Sequence, residues 1–367
     1  MSIINANNII PEFKKETFDL VVENYPLGSL YYQNYFATEF RADLTFASAE
    51  VNFGAKVMAD IVSIGSKAPR KSRDFAKTYT GEIPKIEIAR DLTENDQIKI
   101  QQLRNAVSQY PNNESVAQQL LQKIYEDPQF CIDSVNSRLE WAAKQLASKG
   151  SFETTVENNA GGVAKLKIDF KVTSSANGKN IFTPTGTDLV DYDPMVKIRE
   201  KQTMAIAKGQ PYVYMVTDRE TFNQFVKYQK VQLFSANFND ALTKNYRTPS
   251  VEQVNAELSS QGLPTFVIWE SYFYAESKKS ERVMMSGWEK GAILFTQSLD
   301  LGSTQYTLTP EFSTNFADVM TQNVNNGFIL VKTFGHQDPI MVSTKATAFA
   351  MPVLNNLSRI EILKMAS

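Results

Sequence analysis

One histidine, His336, and one cysteine, Cys131, set narrow limits on the chemistry this chain can carry. A disulfide within the chain is impossible, and so is a zinc site built from Cys and His alone. A serine or cysteine triad would have a single candidate base, so acid/base work would otherwise fall to carboxylates or lysines. Paired carboxylates of a hydrolase could be drawn from Glu270 with Glu276, or from Asp188 with Asp191. Those spacings are ordinary for wet loops and strand ends. Asp188, Asp191 and Asp193 could suggest a calcium loop, but the pattern lacks its central Gly and distal Glu. Asp193-Pro194 is better explained as a helix start. His336 lies in the turn-like run Phe334-Gly335-His336-Gln337-Asp338-Pro339 with no nucleophile beside it. Cys131 falls on an apolar helical stripe, where a buried inert thiol is expected.

The phosphate-binding, nucleophile-elbow and metalloprotease motifs are absent, and Gly161-Gly162 reads as a turn. No cofactor or metal is expected, and no enzymatic activity. The 367 residues suggest two or three lobes. Lys and Arg number 38 against 40 Asp and Glu, which argues against a dedicated nucleic-acid binder. The apolar stretches are far too short to span a bilayer, and the N-terminal residues do not resemble a secretory signal.

The elements behind these residues can be read from periodicity. Residues 1–50 hold Phe13, Phe18, Tyr31, Tyr32, Tyr35 and Phe36 without one clean period. Such rings must pack on the body or on another chain. From Val51 to Ile61 apolar residues alternate as in a strand. Ile86 and Ile88 mark a second strand, placed at a sheet edge by Pro84. Between them, Lys67–Lys77 holds five basic residues and one acid. This pattern predicts a long β-hairpin with a basic tip, and a loop of that length usually has a task. Residues 91–149 predict helices. Asp127-Pro128 is expected to start the last one, of about 22 residues and roughly 33 Å, closed by Gly150. A second hairpin runs from Phe152 through Asn158–Gly162 to Val172. Asp193-Pro194 opens a helix that Gly209 closes, and Thr217-Asp218-Arg219-Glu220 caps another. Short strands follow at Thr265–Trp269, Tyr272–Tyr274, Val283–Met285, Ala292–Phe295, Phe328–Val331, Ile340–Val342 and Arg359–Leu363. The fold class is α+β.

This order of parts resembles the major capsid protein of tailed double-stranded-DNA bacteriophages, above all the lambda-like major head protein family. The resemblance is carried by Tyr79-Thr80-Gly81-Glu82-Ile83-Pro84-Lys85-Ile86-Glu87-Ile88, by the helix to Leu146 followed by Lys149-Gly150-Ser151-Phe152-Glu153-Thr154, and by Asp191-Tyr192-Asp193-Pro194. Gly291–Phe295, Gln337–Ile340, Met351–Leu354 and Ile360-Glu361-Ile362 extend it over nearly the whole chain. It implies an N-terminal arm at 1–50 and an extended β-hairpin loop at 51–90. It implies a peripheral domain with a long spine helix at 91–187 and 316–339, and an axial domain at 188–315 and 340–367.

The implied role is a subunit that assembles as hexamers and pentamers into an icosahedral shell around double-stranded DNA. Contacts between subunits would come from the loop residues Lys67, Arg70, Lys71, Arg73 and Lys77 and from the six arm rings named above. Residue 50 is already near the hairpin, so a separate scaffolding protein is expected. A portal protein and a decoration protein are further implied partners, with DNA enclosed but not read by sequence. Localisation would be the virion, after assembly in the host bacterial cytoplasm. An encapsulin-type compartment and a carboxylate-dependent hydrolase are the alternatives. Genome context would separate the first, and turnover by a small monomer would favour the second.

Overall fold

The computed structural model describes residues 3–12, 14–23, 32–50, 77–155, 158–159, 166–236, 247–276, 282–314, 318–324 and 327–366. Its centre is a seven-stranded sheet built on one long strand, β17 (Ile340–Leu354). β17 pairs with β5 (Lys85–Leu92) over residues 342–349 and with β14 (Gly302–Thr307) over residues 349–354. Over residues 340–347 it also pairs with β16 (Ile329–Gln337), which carries β1 (Ile3–Ile4) and β15 (Met320–Val324). β2 (Phe36–Phe40) adds in parallel to β14. A second sheet, of five strands, runs β10 (Thr265–Ile268), β9 (Tyr214–Thr217), β13 (Ala292–Thr296), β18 (Ile360–Lys364), β8 (Ser174–Ala176). Three two-stranded ribbons complete the strands. They are β3 (Thr45–Glu50) with β4 (Lys77–Glu82), β6 (Ser151–Glu153) with β7 (Lys167–Asp169), and β11 (Phe273–Glu276) with β12 (Arg282–Met285).

The helices are α1 (Lys15–Glu23), α2 (Tyr32–Tyr35), α3 (Glu94–Gln109), α4 (Glu114–Lys149), α5 (Asp188–Asp191), α6 (Met195–Ala207), α7 (Arg219–Phe225), α8 (Gln229–Phe234) and α9 (Val251–Ser260). α4 is the spine. Asn113 accepts a hydrogen bond from Ser115 N at its start, and Gly150, at φ 72°, ends it. At 1.5 Å per residue it is about 54 Å long. The expected break at Asp127-Pro128 does not occur, because the chain runs through Pro128 as one helix of 36 residues. The physical reason is continuity of the buried stripe. Leu120 and Ile124 before Pro128, and Ile132, Val135 and Leu139 after it, all enter one core with β17 residues Val342, Ala346 and Ala350. That shared burial outweighs the roughly 3 kcal/mol an interior proline costs. Asp127 therefore does not cap; it is buried and meets Arg90 Nε of β5 at 3.2 Å.

Other expected elements stand where the residues placed them. Gly209, at φ 68°, follows α6, and Asp193 Oδ1 accepts from Met195 N at 2.9 Å at its start. Asp218 caps α7 by accepting from Thr221 N. The expected lobe boundaries differ from the sheets. Residues 302–307 and 340–354, assigned above to the axial domain, lie in the seven-stranded sheet beside residues 329–337. Backbone pairing decides this, and of the closing segment only β18 joins the five-stranded sheet. A smaller core beneath that sheet gathers Phe222, Phe225, Val254, Leu258 and Phe266 from α7, α9 and β10.

Candidate assembly surface

The arm rings come first. On α2, Tyr32 N–H donates to Glu140 Oε2 of the spine at 2.6 Å, and its hydroxyl donates to Asn136 Oδ1 at 2.8 Å. Burial pushes that hydroxyl's pKa above its ordinary value. Tyr35 stacks at a tilt on Trp269, with centroids 4.4 Å apart. Phe36 and Phe18 are fully buried in the same core. Within the subunit each of these four rings is enclosed by this chain's own spine and sheets. The reason is Glu140, a buried carboxylate that also accepts from Trp269 Nε1 (2.5 Å) and Ser271 Oγ (2.8 Å) and so draws the arm inward. Periodicity could not find this, because a lone Glu inside an apolar helix stripe was its only signal. Phe13 and Tyr31 lie outside the described residues. Among the described arm residues, the large apolar side chains that face outward are Ile3, Leu20, Phe40 and Leu44.

The extended loop is described at its root. β3 and β4 pair antiparallel, Thr45 opposite Glu82 and Glu50 opposite Lys77, and bracket residues 51–76. Lys77 opens β4, while Lys67, Arg70, Lys71 and Arg73, with the expected strand Val51–Ile61, lie outside the described residues. The root is fastened to the body. Gln305 of β14 accepts from Ala47 N at 3.0 Å and donates to Ala47 O at 2.8 Å. Ser48 Oγ donates to Leu354 O of β17, and Ile83 N donates to Leu44 O at 2.8 Å. Phe46 lies across Gly81, where a Cβ would fall 2.6 Å from its ring, so any larger residue would have to push the ring aside.

The residues that could have done chemistry are dispersed, and most of the carboxylates are paired. Glu270 pairs with Arg219, and Glu276 with Arg282 at 3.5 Å. Asp188 pairs with Lys179 and accepts from Thr185 N, and Asp193 pairs with Arg199 at 3.2 Å. Asp191 closes α5. His336 sits in β16 with its ring edge-on to Phe334, between Ile3 and Met341 as strand partners. Cys131 is buried with Sγ 3.6 Å from Thr344 O, and burial pushes its thiol up to about 12. A groove of about 810 Å³ lies between α4, β5 and the β11–β12 ribbon. Its carboxylates are engaged too, Glu87 with Lys85 and Lys345, and Glu276 as above. Among the described residues no group of His, Cys, Asp and Glu could hold a metal, and no helix is long and apolar enough to cross a membrane.

A family model described as "Phage major capsid protein E" matches residues 22–361. The chain belongs to this phage major capsid protein family. No curated protein matches it. Among solved structures it is similar to the "putative capsid protein of prophage (E.coli CFT073)", at 12% identity and TM-score 0.52, with 100% of both chains covered. A phage-related protein from Bordetella bronchiseptica RB50 aligns at 9% identity and TM-score 0.47, over 100% of this chain and 98% of that one. The capsid of Myoviridae phage XM1 aligns at 12% identity and TM-score 0.39, over 91% and 90%. The fold is the α+β fold of tailed-phage major capsid proteins. As a phage major capsid protein, the chain is a structural, shell-forming subunit of the virion that associates with its own copies. It is not an enzyme, so the hydrolase alternative falls away, and the phage family is preferred to an encapsulin-type compartment.

Proposed function

We propose that this subunit closes as hexamers and pentamers into an icosahedral shell around double-stranded DNA. Assembly takes place in the host bacterial cytoplasm on a separate scaffolding protein, with a portal protein in the finished head and a decoration protein as a further partner. Lys67, Arg70, Lys71, Arg73 and Lys77 reach a neighbouring subunit from the extended loop, and Phe13 and Tyr31 do so from the arm. The sheet of β5, β14–β17 and the spine forms the peripheral domain, and the five-stranded sheet forms the axial domain. The observation that carries this reading is the fastened root of the loop. Gln305 and Leu354 bond the paired strands to the body and Phe46 packs against Phe170, while the basic run between them has no acidic match in its own sequence beyond Asp74. Each exposed ion pair contributes only about 0–1 kcal/mol, and repetition around a closed shell makes such contacts act together. A formal net charge of -2 suits a container that must not hold its DNA by the phosphates.

Deleting Ser66–Ala76 tests it. The root bonds lie outside the deletion, so the subunit keeps its circular dichroism and melting temperature. Electron microscopy then shows no stable closed particles. Normal particles from the deletion would count against the assignment.

A further inference from the structure

Pro84 to Ile88 line the groove of about 810 Å³ beside the spine as an unbroken run. Successive side chains of a strand point to opposite faces, so a run without gaps means that the groove follows the edge of β5 and not one face. Among the described residues β5 pairs only with β17, and its outer edge carries no strand. Another wall, the β11–β12 ribbon, is fixed in place. Lys144 Nζ of the spine donates to Ser271 O and Ser286 O, at 2.7 and 2.9 Å, and so holds both legs of the ribbon. The recess is therefore formed before anything enters it, and its volume is that of an ordinary binding pocket.

Arg138 of α4 lines this groove half-buried. Its Nη1 donates to Asn158 O at 2.9 Å, and its guanidinium lies 4.8 Å from the Trp141 ring centre. Among the described residues no carboxylate pairs with it, and burial lowers its pKa from the ordinary value. A guanidinium has five N–H donors, and a desolvated one with donors to spare favours a carboxylate, which takes two parallel bonds. The other charged lining residues do not supply one. Glu87 is shared by Lys85 and Lys345, and Glu276 pairs with Arg282 at 3.5 Å. Arg138, Lys85, Lys345 and Arg282 thus stand against Glu87 and Glu276 alone. Neighbouring segments outside the described residues hold Glu157 with Lys165, and Lys278 and Lys279 with Glu281, so in sequence they do not reverse the sign. Phe130 and Tyr272, 38% and 56% exposed, join Trp141 and Phe273 as the aromatic part of the lining.

An open strand edge, a cation with no acidic partner and aromatic walls together suit an extended acidic peptide, whose backbone pairs with the edge while side chains enter the recess. The extended loop of a second copy brings the wrong charge, since residues 51–76 hold Lys56, Lys67, Arg70, Lys71 and Arg73 against Asp60 and Asp74. We propose that the groove takes an acidic, extended segment of a second protein, which adds as a strand to the outer edge of β5, sets a carboxylate on Arg138 and lays an apolar side chain on Trp141. The binding is read on the unassembled subunit, so the proposal does not depend on shell closure.

The test uses the full chain, unassembled, at pH 7 and low salt. The probe is a dye-labelled peptide of eight residues, the length of β5, alternating glutamate with valine and phenylalanine. Fluorescence anisotropy shows saturable binding, and Arg138→Gln weakens it about tenfold or more. The Ser66–Ala76 peptide of this chain binds at least about tenfold more weakly than the acidic one. Hydrogen exchange on the native chain needs no variant, and there the bound acidic peptide slows the amides of β5. No saturable binding up to about 1 mM, an affinity unchanged in a folded Arg138→Gln, or β5 amides indifferent to the peptide each overturn the proposal. Equal or tighter binding of the Ser66–Ala76 peptide overturns it as well, by giving the groove to a second copy.

Discussion

Lys144 keeps a cation inside the protein by giving it carbonyl oxygens. Burial lowers its pKa from the usual 10.5 to about 8, while Glu140, Asp218 and Glu270 pull it the other way. The unfolded chain therefore binds more protons than the folded one between about pH 8 and pH 10.5. From this group alone, stability rises with pH across that window, and below pH 8 the folded state bears the full desolvation cost. The melting temperature of the native chain minus that of Lys144→Met should accordingly increase from pH 8 to pH 10. Scanning fluorimetry checks this, and a flat difference would show that the side chain is solvated. Glu140 is the converse case, a buried carboxylate with three donors around it. Glu140→Ala strands Tyr32 N–H, Trp269 Nε1–H and Ser271 Oγ–H, at a cost of about 3–5 kcal/mol measurable by urea unfolding. Cys131 should react with iodoacetamide only once the chain is denatured, as its raised pKa and burial require.

At the scale of elements, Gly302 is the tightest point of the large sheet. A Cβ there would stand 2.0 Å from Val353 O of β17. Gly302→Ala should cost about 1–3 kcal/mol, seen as a lowered melting temperature; an unchanged value would mean that β14 can slide. Elements with clean punctuation were legible in the residues. Asp193-Pro194 and Gly209 bound α6, Gly150 ends the spine, and Pro84 precedes β5 at the sheet's side. The failures have physical causes. Asp127-Pro128 is a sound start signal locally, but burial on both sides of it carried the helix through. β17 was visible only as Ile340–Val342, because a central strand covered on both faces need not alternate. Ser343, Thr344 and Thr347 are all buried there, and such residues read as polar loop.

For the molecule as a whole, sheet membership does not follow chain order, so residues 302–307 and 340–354 could not be placed without their partners. The family-wide order of parts was legible. The inward fate of the arm was not, since an aperiodic run of rings does not say which neighbour covers it. A dilute, unassembled subunit should therefore resist chymotrypsin at Tyr32, Tyr35 and Phe36. Rapid cleavage at those bonds, followed by mass spectrometry, would show that the arm is ordered only between copies.

β17 spans about 50 Å at 3.3 Å per residue, and it is the strand on which β5, β14 and β16 all pair. Its partners come from as far back as residue 85, so the sheet has long-range connectivity of the kind that folds slowly. During translation those earlier strands must wait with open edges until residues 340–354 leave the ribosome tunnel. Nascent chains on one polysome thus hold unfinished sheets side by side, and a shelter for those edges during synthesis would be needed before any docking of finished subunits begins.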